Sequence, residues 1–235
     1  IADDNTGASD AAGMLTEQGV STLLCTTIPS LSDDVLSQYN ALVIGTQARS
    51  IPPREAYMRT QEAAVFLKQH QYGKMQIKYC STFDSTPKGN IGQMIDAALD
   101  AFNADYTIVC PALPVNSRTT RGGMHYVDGV LLSQSPMKDH PLNPMTDANL
   151  IRWLGYQTER MIGLLPLDHI RKGKSVALRY LQKLLRDGVT CIVTDAETDH
   201  DIDVIAHATA SWSVVTGGSG ITSSIAKDME SSVRP

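Results

Sequence analysis

The chain is expected to fold as an α/β domain, with an open, mostly parallel sheet and helices on both faces. Three observations predict it. Short β-branched runs alternate with helical patterns along most of the sequence. The strand candidates are almost continuously apolar, as strands covered on both faces must be. Finally, 235 residues with 42% hydrophobic content can bury a full core.

Taken in order, Ile1-Ala2 reads as the end of a strand running straight into the polar loop Asp3-Asp4-Asn5-Thr6-Gly7, where Gly7 would permit a tight turn. A helix is expected over 9–17, and strands over 22–25 and 41–45. Helical period returns over 54–69, where Ala63, Ala64, Phe66 and Leu67 form one helix face rather than a strand. A strand over 75–79, a helix over 91–102 and a strand over 106–110 follow. Residues 111–144 then break the rhythm with Pro, Gly, Asn and Ser; a candidate hairpin pairs 125–127 with 130–132 through Asp128-Gly129. Such an excursion inside an α/β domain is usually functional. Asp147 is the expected N-cap of a helix through Gln157. Alternation resumes with a helix over 175–186, a strand over 190–194, a helix over 201–210 and a strand over 213–216. The turn Thr216-Gly217-Gly218-Ser219-Gly220 leads into a last helix.

A net charge of −5 and a pI near 5.6 argue against nucleic acid, whose binders carry a basic face. The short basic cluster Arg171, Lys172 and Lys174 and the acidic run Asp199 to Asp203 both read as solvated helix starts. Cys25, Cys80, Cys110 and Cys191 lie far apart, without metal-ligand spacing. Three of them fall in or beside apolar runs, which suits buried thiols in a reducing cytoplasm. No run approaches the length of a bilayer span. The abrupt opening, and Ser231-Ser232-Val233-Arg234-Pro235 as the start of a linker, suggest part of a longer protein: one domain over 1–230 and a linker from 231.

The densest chemistry lies in Lys78-Tyr79-Cys80-Ser81-Thr82-Phe83-Asp84-Ser85-Thr86-Pro87-Lys88-Gly89-Asn90-Ile91-Gly92, between a strand and a helix. In open α/β sheets, ligands bind beyond the carboxyl ends of the strands. Four polar loops fall there: 3–7, 47–50, this one and 111–120. Adjacent Asp3 and Asp4 can bind sugar hydroxyls, hold Mg²⁺ or act as a base, whereas one cap explains only one of them. Arg49, ahead of the rigid Pro52-Pro53, offers a planar fork for a carboxylate. Asp84, Ser85 and Thr86 can bind a polyol, and the helix start at 90–92 offers free N–H groups to an anion. The glycine turn at 216–220 lacks the lysine of a P-loop and the spacing of a dinucleotide fingerprint. His140-Pro141 reads as a turn element.

These blocks resemble the four-carbon acid sugar kinases. The match is carried by Ile1-Ala2-Asp3-Asp4-Asn5-Thr6-Gly7-Ala8, Ala48-Arg49-Ser50, Cys80 to Thr86 with Gly89-Asn90-Ile91-Gly92, and Pro111-Ala112-Leu113-Pro114 with Arg118. His140-Pro141-Leu142 with Pro144-Met145 and Asp147, and then Thr216 to Gly220, continue it in order. The Phe83-containing motif is most similar to the 3-oxo-tetronate kinase branch. Position 5, apolar in that family, is Asn5 here.

The resemblance implies a sugar-acid-binding domain whose ATP and Mg²⁺ need a second, C-terminal domain not in this sequence. A cytoplasmic enzyme with no metal ligands in this domain is expected beside it, with a homodimer as one assembly it could form. The resemblance places Asp3, Asp4, Arg49, Ser81, Thr82, Asp84, Ser85, Thr86, Asn90 and Arg118 around the acid. Asp4 or Asp84 would orient or deprotonate the terminal hydroxyl that attacks ATP. Two other classes remain open at this point. One is a non-catalytic sugar-acid-binding module. The other is a metal-dependent phosphatase, which wants Asp-x-Asp-x-Thr where this chain has Asn5 two residues after Asp3.

Overall fold

The computed structural model describes residues 1–233. The chain runs α1 (Asn5–Glu17), β1 (Thr22–Cys25), α2 (Asp33–Leu36), β2 (Ala41–Ile44), α3 (Pro53–Gln69), β3 (Met75–Lys78), α4 (Ile91–Phe102) and β4 (Thr107–Cys110). The excursion contributes β5 (Arg118–Arg121), β6 (Met124–Val127), β7 (Val130–Leu131) and α5 (Leu150–Gly155). Then come β8 (Ile162–Leu165), α6 (Leu167–Ile170), α7 (Lys174–Arg186), β9 (Cys191–Thr194), α8 (Asp199–Ala208), β10 (Val214–Gly217) and α9 (Ser219–Val233).

The expected parallel sheet is present. β3-β10-β4-β9-β8 lie side by side and parallel, and β1-β2 form a second parallel pair. Ala2 joins them, bridging Gly45 on one side and Lys78 on the other, both in parallel. Alternation along each strand feeds two cores. Cys191 and Val193 of β9 face the layer of α3, α4 and α5, while Ile192 faces α7 and α8. α1 packs on the latter face through Ala8 and Ala11 against Val43.

Several local expectations need correction. α1 begins at Asn5, because Asp4 caps it by accepting from Gly7 N at 2.6 Å; Gly7 is a first-turn helix residue rather than a tight turn. Asn149 caps α5, whose helix ends at Gly155, and Asp147 instead binds Asn149 N and Arg152. The hairpin forms around Asp128-Gly129 but gains a third strand, β5, and the main sheet gains the edge strand β8. Asp201 is not solvated: it is 1% exposed and completes a capping box with Thr198, with Arg171 paired to it and to Glu197. Only Cys110 and Cys191 are buried, Cys25 and Cys80 being half-buried. The expected linker start falls on the end of α9 and on residues 234 and 235, which lie outside the described residues.

Candidate active site

Asp3 leaves the strand position between β2 and β3 at the carboxyl end of the sheet, its N–H bonded to the Lys78 carbonyl at 3.0 Å. It is 1% exposed, and Arg49 closes on it as a fork, Nε to Oδ2 at 2.8 Å and Nη2 to Oδ1 at 2.9 Å. The Arg49 backbone N–H also donates to the Asp3 carbonyl at 3.1 Å. Burial raises the Asp3 pKa and Arg49 opposes the rise.

The third guanidinium nitrogen serves two more carboxylates. Arg49 Nη1 lies 2.8 Å from Asp4 Oδ2 and 3.9 Å from Asp84 Oδ2. One arginine therefore gathers Asp3, Asp4 and Asp84 from two loops. The bidentate edge expected for a ligand carboxylate is occupied by Asp3, and only Nη1 turns toward the other two.

The loop after β3 is held by a second set of contacts. Phe83, fully buried, sits in the left-handed region (φ 56°) with its ring edge-on to Tyr79 at 5.4 Å. That conformation costs about 1–3 kcal/mol for a non-glycine residue and recurs at functional sites. Here it turns Thr82 and Asp84 to one side, where the Thr82 hydroxyl donates to Asp84 Oδ1 at 2.8 Å.

Two of the expected binding residues support the site from behind. Ser85 is fully buried; its hydroxyl donates to the Phe83 carbonyl and accepts from Trp153 Nε1 and Gln157 Nε2, each at 3.0 Å. Asn90, 4% exposed, donates through Nδ2 to the carbonyls of Ala48, Arg49 and Ile51, strapping down the loop that carries Arg49. The α4 start is closed too. Gly92 N donates to Gln157 Oε1 at 2.9 Å, and a Cβ on Gly92 would stand 2.6 Å from Gln157.

The remaining candidates divide. Thr86 bonds the Gly89 carbonyl at 3.2 Å and is half-buried. Ser81 is half-buried; its carbonyl accepts from His125 Nε2 at 2.7 Å, which fixes His125 as the Nε2–H tautomer with Nδ1 accepting from Thr120. Burial pushes the His125 pKa down to about 4. Arg118 pairs with the Asn116 carbonyl and, at 3.5 Å, with Asp128 of the hairpin; among the described residues no hydrogen bond or ion pair joins it to the three aspartates. Asn5, the departure from the family pattern, lays its Oδ1 against Gly45, 2.5 Å from where a Cβ would stand.

Two residues were in view in the sequence but were given no role. Gln157 was visible only as a helix end. Lys78 closes a strand buried on both faces and is 5% exposed; a lysine there was itself the signal. The glycine turn lies next to it. A Cβ on Gly217 would stand 2.3 Å from the Cys110 carbonyl oxygen, and one on Gly218 3.6 Å from Ser81 Cα.

A carboxylate cluster on one arginine, with hydroxyls beside it, stands at the carboxyl ends of a parallel sheet, where open α/β domains bind their ligands. The sequence pattern of the family described as "Sugar-binding N-terminal domain" matches residues 1–225, and the chain belongs to that family. Its relatives include 3-oxo-tetronate kinases of Haemophilus influenzae (44% identical over 94% of this chain and 53% of the relative), Brucella melitensis (40%, over 97% and 52%) and Escherichia coli K12 (38%, over 97% and 58%). The chain thus spans about half the length of the curated relatives it matches. A crystal structure of a Haemophilus influenzae protein of the family DUF1537 superposes with a TM-score of 0.93 at 42% identity, over 98% of this chain and 55% of that one. A Bordetella bronchiseptica DUF1537 domain, 23% identical with a TM-score of 0.80 over 96% of this chain and 54% of that one, shares the fold.

Proposed function

We propose that this domain binds the four-carbon sugar acid of an ATP-dependent kinase, 3-oxo-tetronate or its relatives erythronate and threonate, for phosphorylation at the terminal hydroxyl. The kinase relatives support the reaction class, and the three-aspartate cluster on Arg49 carries the reading. ATP would supply the phosphoryl group and Mg²⁺ would neutralise its charge. Both enter this reading through the half of the relatives' length that the chain does not span.

The carboxylate oxygens are unequally engaged, which ranks the two base candidates. Asp4 Oδ1 caps α1 and its Oδ2 touches Arg49 at 2.8 Å. Asp84 Oδ1 accepts from Thr82, while its Oδ2 is 3.9 Å from Arg49, beyond hydrogen-bond reach. Asp84 Oδ2 therefore keeps a lone pair for a hydroxyl proton, and we assign the base to Asp84. Asp3 and Asp4 hold Arg49 in place. Arg49 Nη1, Ser81, Thr82 and Thr86 complete the polyol contacts. Ser85 and Asn90 act by fixing the loops, and Arg118 contributes through the hairpin.

The test is kinase activity of the whole protein with the three acids, alongside calorimetry of this domain without nucleotide. Asp84→Asn is expected to lower kcat about 10²–10⁴-fold while KM changes little. Arg49→Ala is expected to lose acid binding. Unchanged kcat in Asp84→Asn removes the base assignment. A domain that binds none of the three acids removes the substrate reading.

A further inference from the structure

We propose that Gln157 is a positioning residue for Asp84: it sets the direction of the Ser85 hydroxyl and, through it, the peptide that carries the aspartate. This rests on the assignment of Asp84 as the base and adds a residue from outside the motif that contains it.

The donors and acceptors around Gln157 admit one arrangement. A backbone N–H can only donate, so Gly92 N, 2.9 Å away, fixes the facing amide atom as the oxygen Oε1. The amide nitrogen then faces Ser85 and donates to its hydroxyl at 3.0 Å. Trp153 Nε1, also a donor only, reaches the same oxygen at 3.0 Å. With two N–H groups directed at it, the Ser85 oxygen has one proton to give, and that proton goes to the Phe83 carbonyl at 2.9 Å. This carbonyl belongs to the peptide that leads into Asp84. A chain of hydrogen bonds thus runs from the first turn of α4 to the backbone of the aspartate.

Gln157 is itself held on every side. It is 4% exposed, its N–H donates to the Leu154 carbonyl at 2.8 Å, and its own carbonyl accepts from Gln93 Nε2 at 3.0 Å. An apolar side chain of that size would fill the same space. The amide adds a donor and an acceptor in fixed places, and both are spent on the segment that follows Asp84, at Ser85 and at Gly92. The aspartate is sensitive to that segment. Thr82 holds Oδ1 at 2.8 Å while Oδ2 stands 3.9 Å from Arg49 Nη1, so a tilt of the 83–84 peptide moves the free oxygen relative to the arginine.

The experiment is steady-state kinetics of the full-length protein with ATP and the three four-carbon acids, each variant assayed below its melting temperature. Gln157→Glu keeps the size of the side chain and the acceptor for Gly92, but near pH 8 it offers Ser85 no donor. The hydroxyl proton is then contested between the new carboxylate and the Phe83 carbonyl. A fall in kcat of about 10–10²-fold is expected, as small misplacements of reacting groups cause. KM should stay within about threefold of the parent's. A carboxyl buried there titrates above its ordinary range and donates again once protonated. The kcat of the variant relative to the parent should therefore recover from about pH 8 to about pH 6. None of the hydrogen-bond partners of Gln157 ionises, and the charged residues that follow, Asp96 and Arg160, pair with each other at 2.7 Å. In an Asp84→Asn background, Gln157→Glu should cost less than about threefold more, since it acts through the aspartate.

A Gln157→Glu variant with the parent's kcat near pH 8 overturns the proposal. So does a loss that is the same at both pH values, or one that persists in full in the Asp84→Asn background. If Gln157→Glu does not fold, Gln157→Met, of similar length and without charge, carries the same kcat and double-variant expectations. Asp84→Asn with the parent's kcat sinks the base assignment and the positioning role with it. An impaired Asp84→Asn beside an unimpaired Gln157→Glu overturns the positioning role alone.

Discussion

Arg49→Met tests the electrostatic centre of the site. In the folded protein Asp3 is 1% exposed and Arg49 supplies both of its side-chain partners, at 2.8 and 2.9 Å. Removing one member of a buried pair costs about 3–5 kcal/mol, because the remaining charge stays buried without compensation. The Arg49 side chain is 20% exposed, so water softens the loss and the lower end, about 3 kcal/mol, is expected. For a domain of this size that is a fall of about 6–12 °C in Tm. The pH dependence gives a sharper check. Burial already raises the Asp3 pKa and Arg49 opposes the rise, so the variant carries a still higher one. A folded carboxyl with a raised pKa binds more protons than its unfolded form, near 4, across the window between the two values. Its stability contribution therefore falls as pH rises through that window. The deficit of Arg49→Met should be largest at pH 7.5, shrink at pH 5, and be partly relieved by adding Asp3→Asn. Urea unfolding at both pH values reads it directly. A deficit below about 1 kcal/mol, or one equal at both pH values, refutes the role given to Arg49.

Other expectations follow from the same structure. Ser85→Ala leaves Trp153 Nε1 and Gln157 Nε2 without their buried acceptor and should cost about 1–3 kcal/mol in chemical denaturation. If Ser85 instead contacts ligand, substrate affinity will drop with stability unchanged. Gly217→Ala pushes a Cβ against the Cys110 carbonyl and Ile221, and should destabilise by about 1–3 kcal/mol or more; a Tm equal to the parent's contradicts the close approach. His125 is held neutral by burial with its pKa down to about 4, below the unfolded value of 6.5. Unfolding then takes up a proton between those values, so stability should fall by up to about 3 kcal/mol from pH 6.5 to 4, and His125→Gln should lose that slope.

The sheet was legible because its strands are apolar on both faces. Thr22–Cys25 and the helix Ile91–Phe102 fall where the pattern put them. β8 was not legible: Ile162-Gly163-Leu164-Leu165 is short, interrupted by a glycine and followed by Pro166. Its Gly163 makes sense only in three dimensions, where a Cβ would stand 2.8 Å from Val189. α1 was read four residues short because Asp4 and Gly7 look like loop chemistry, yet a capping aspartate and a small first-turn residue are also how a helix starts. The hairpin turn was visible in Asp128-Gly129; its third strand, Arg118-Thr119-Thr120-Arg121, has no apolar residue to announce it.

The motif between β3 and α4 shows why composition located the site but did not sort its residues. Hydroxyl and amide side chains that touch a ligand and those that satisfy buried backbone look the same in a sequence. What separates them is the partner, and the partners lie far along the chain: Asn90 holds the carbonyls of residues 48, 49 and 51, while Ser85 and Gly92 bind Gln157. The excursion from Pro111 onward therefore acts on this loop from behind: α5 delivers Trp153 to Ser85, and the hairpin delivers His125 to the Ser81 carbonyl. A loop with a buried phenylalanine at φ 56° needs that many fixed points. Most of the motif's polar atoms hold the loop, while Asp84 Oδ2 and Arg49 Nη1 keep bonding capacity to spare beside the half-buried Ser81. A cation and a carboxylate at the end of a parallel sheet, with hydroxyls beside them, suit a ligand that carries an acid group and a hydroxyl.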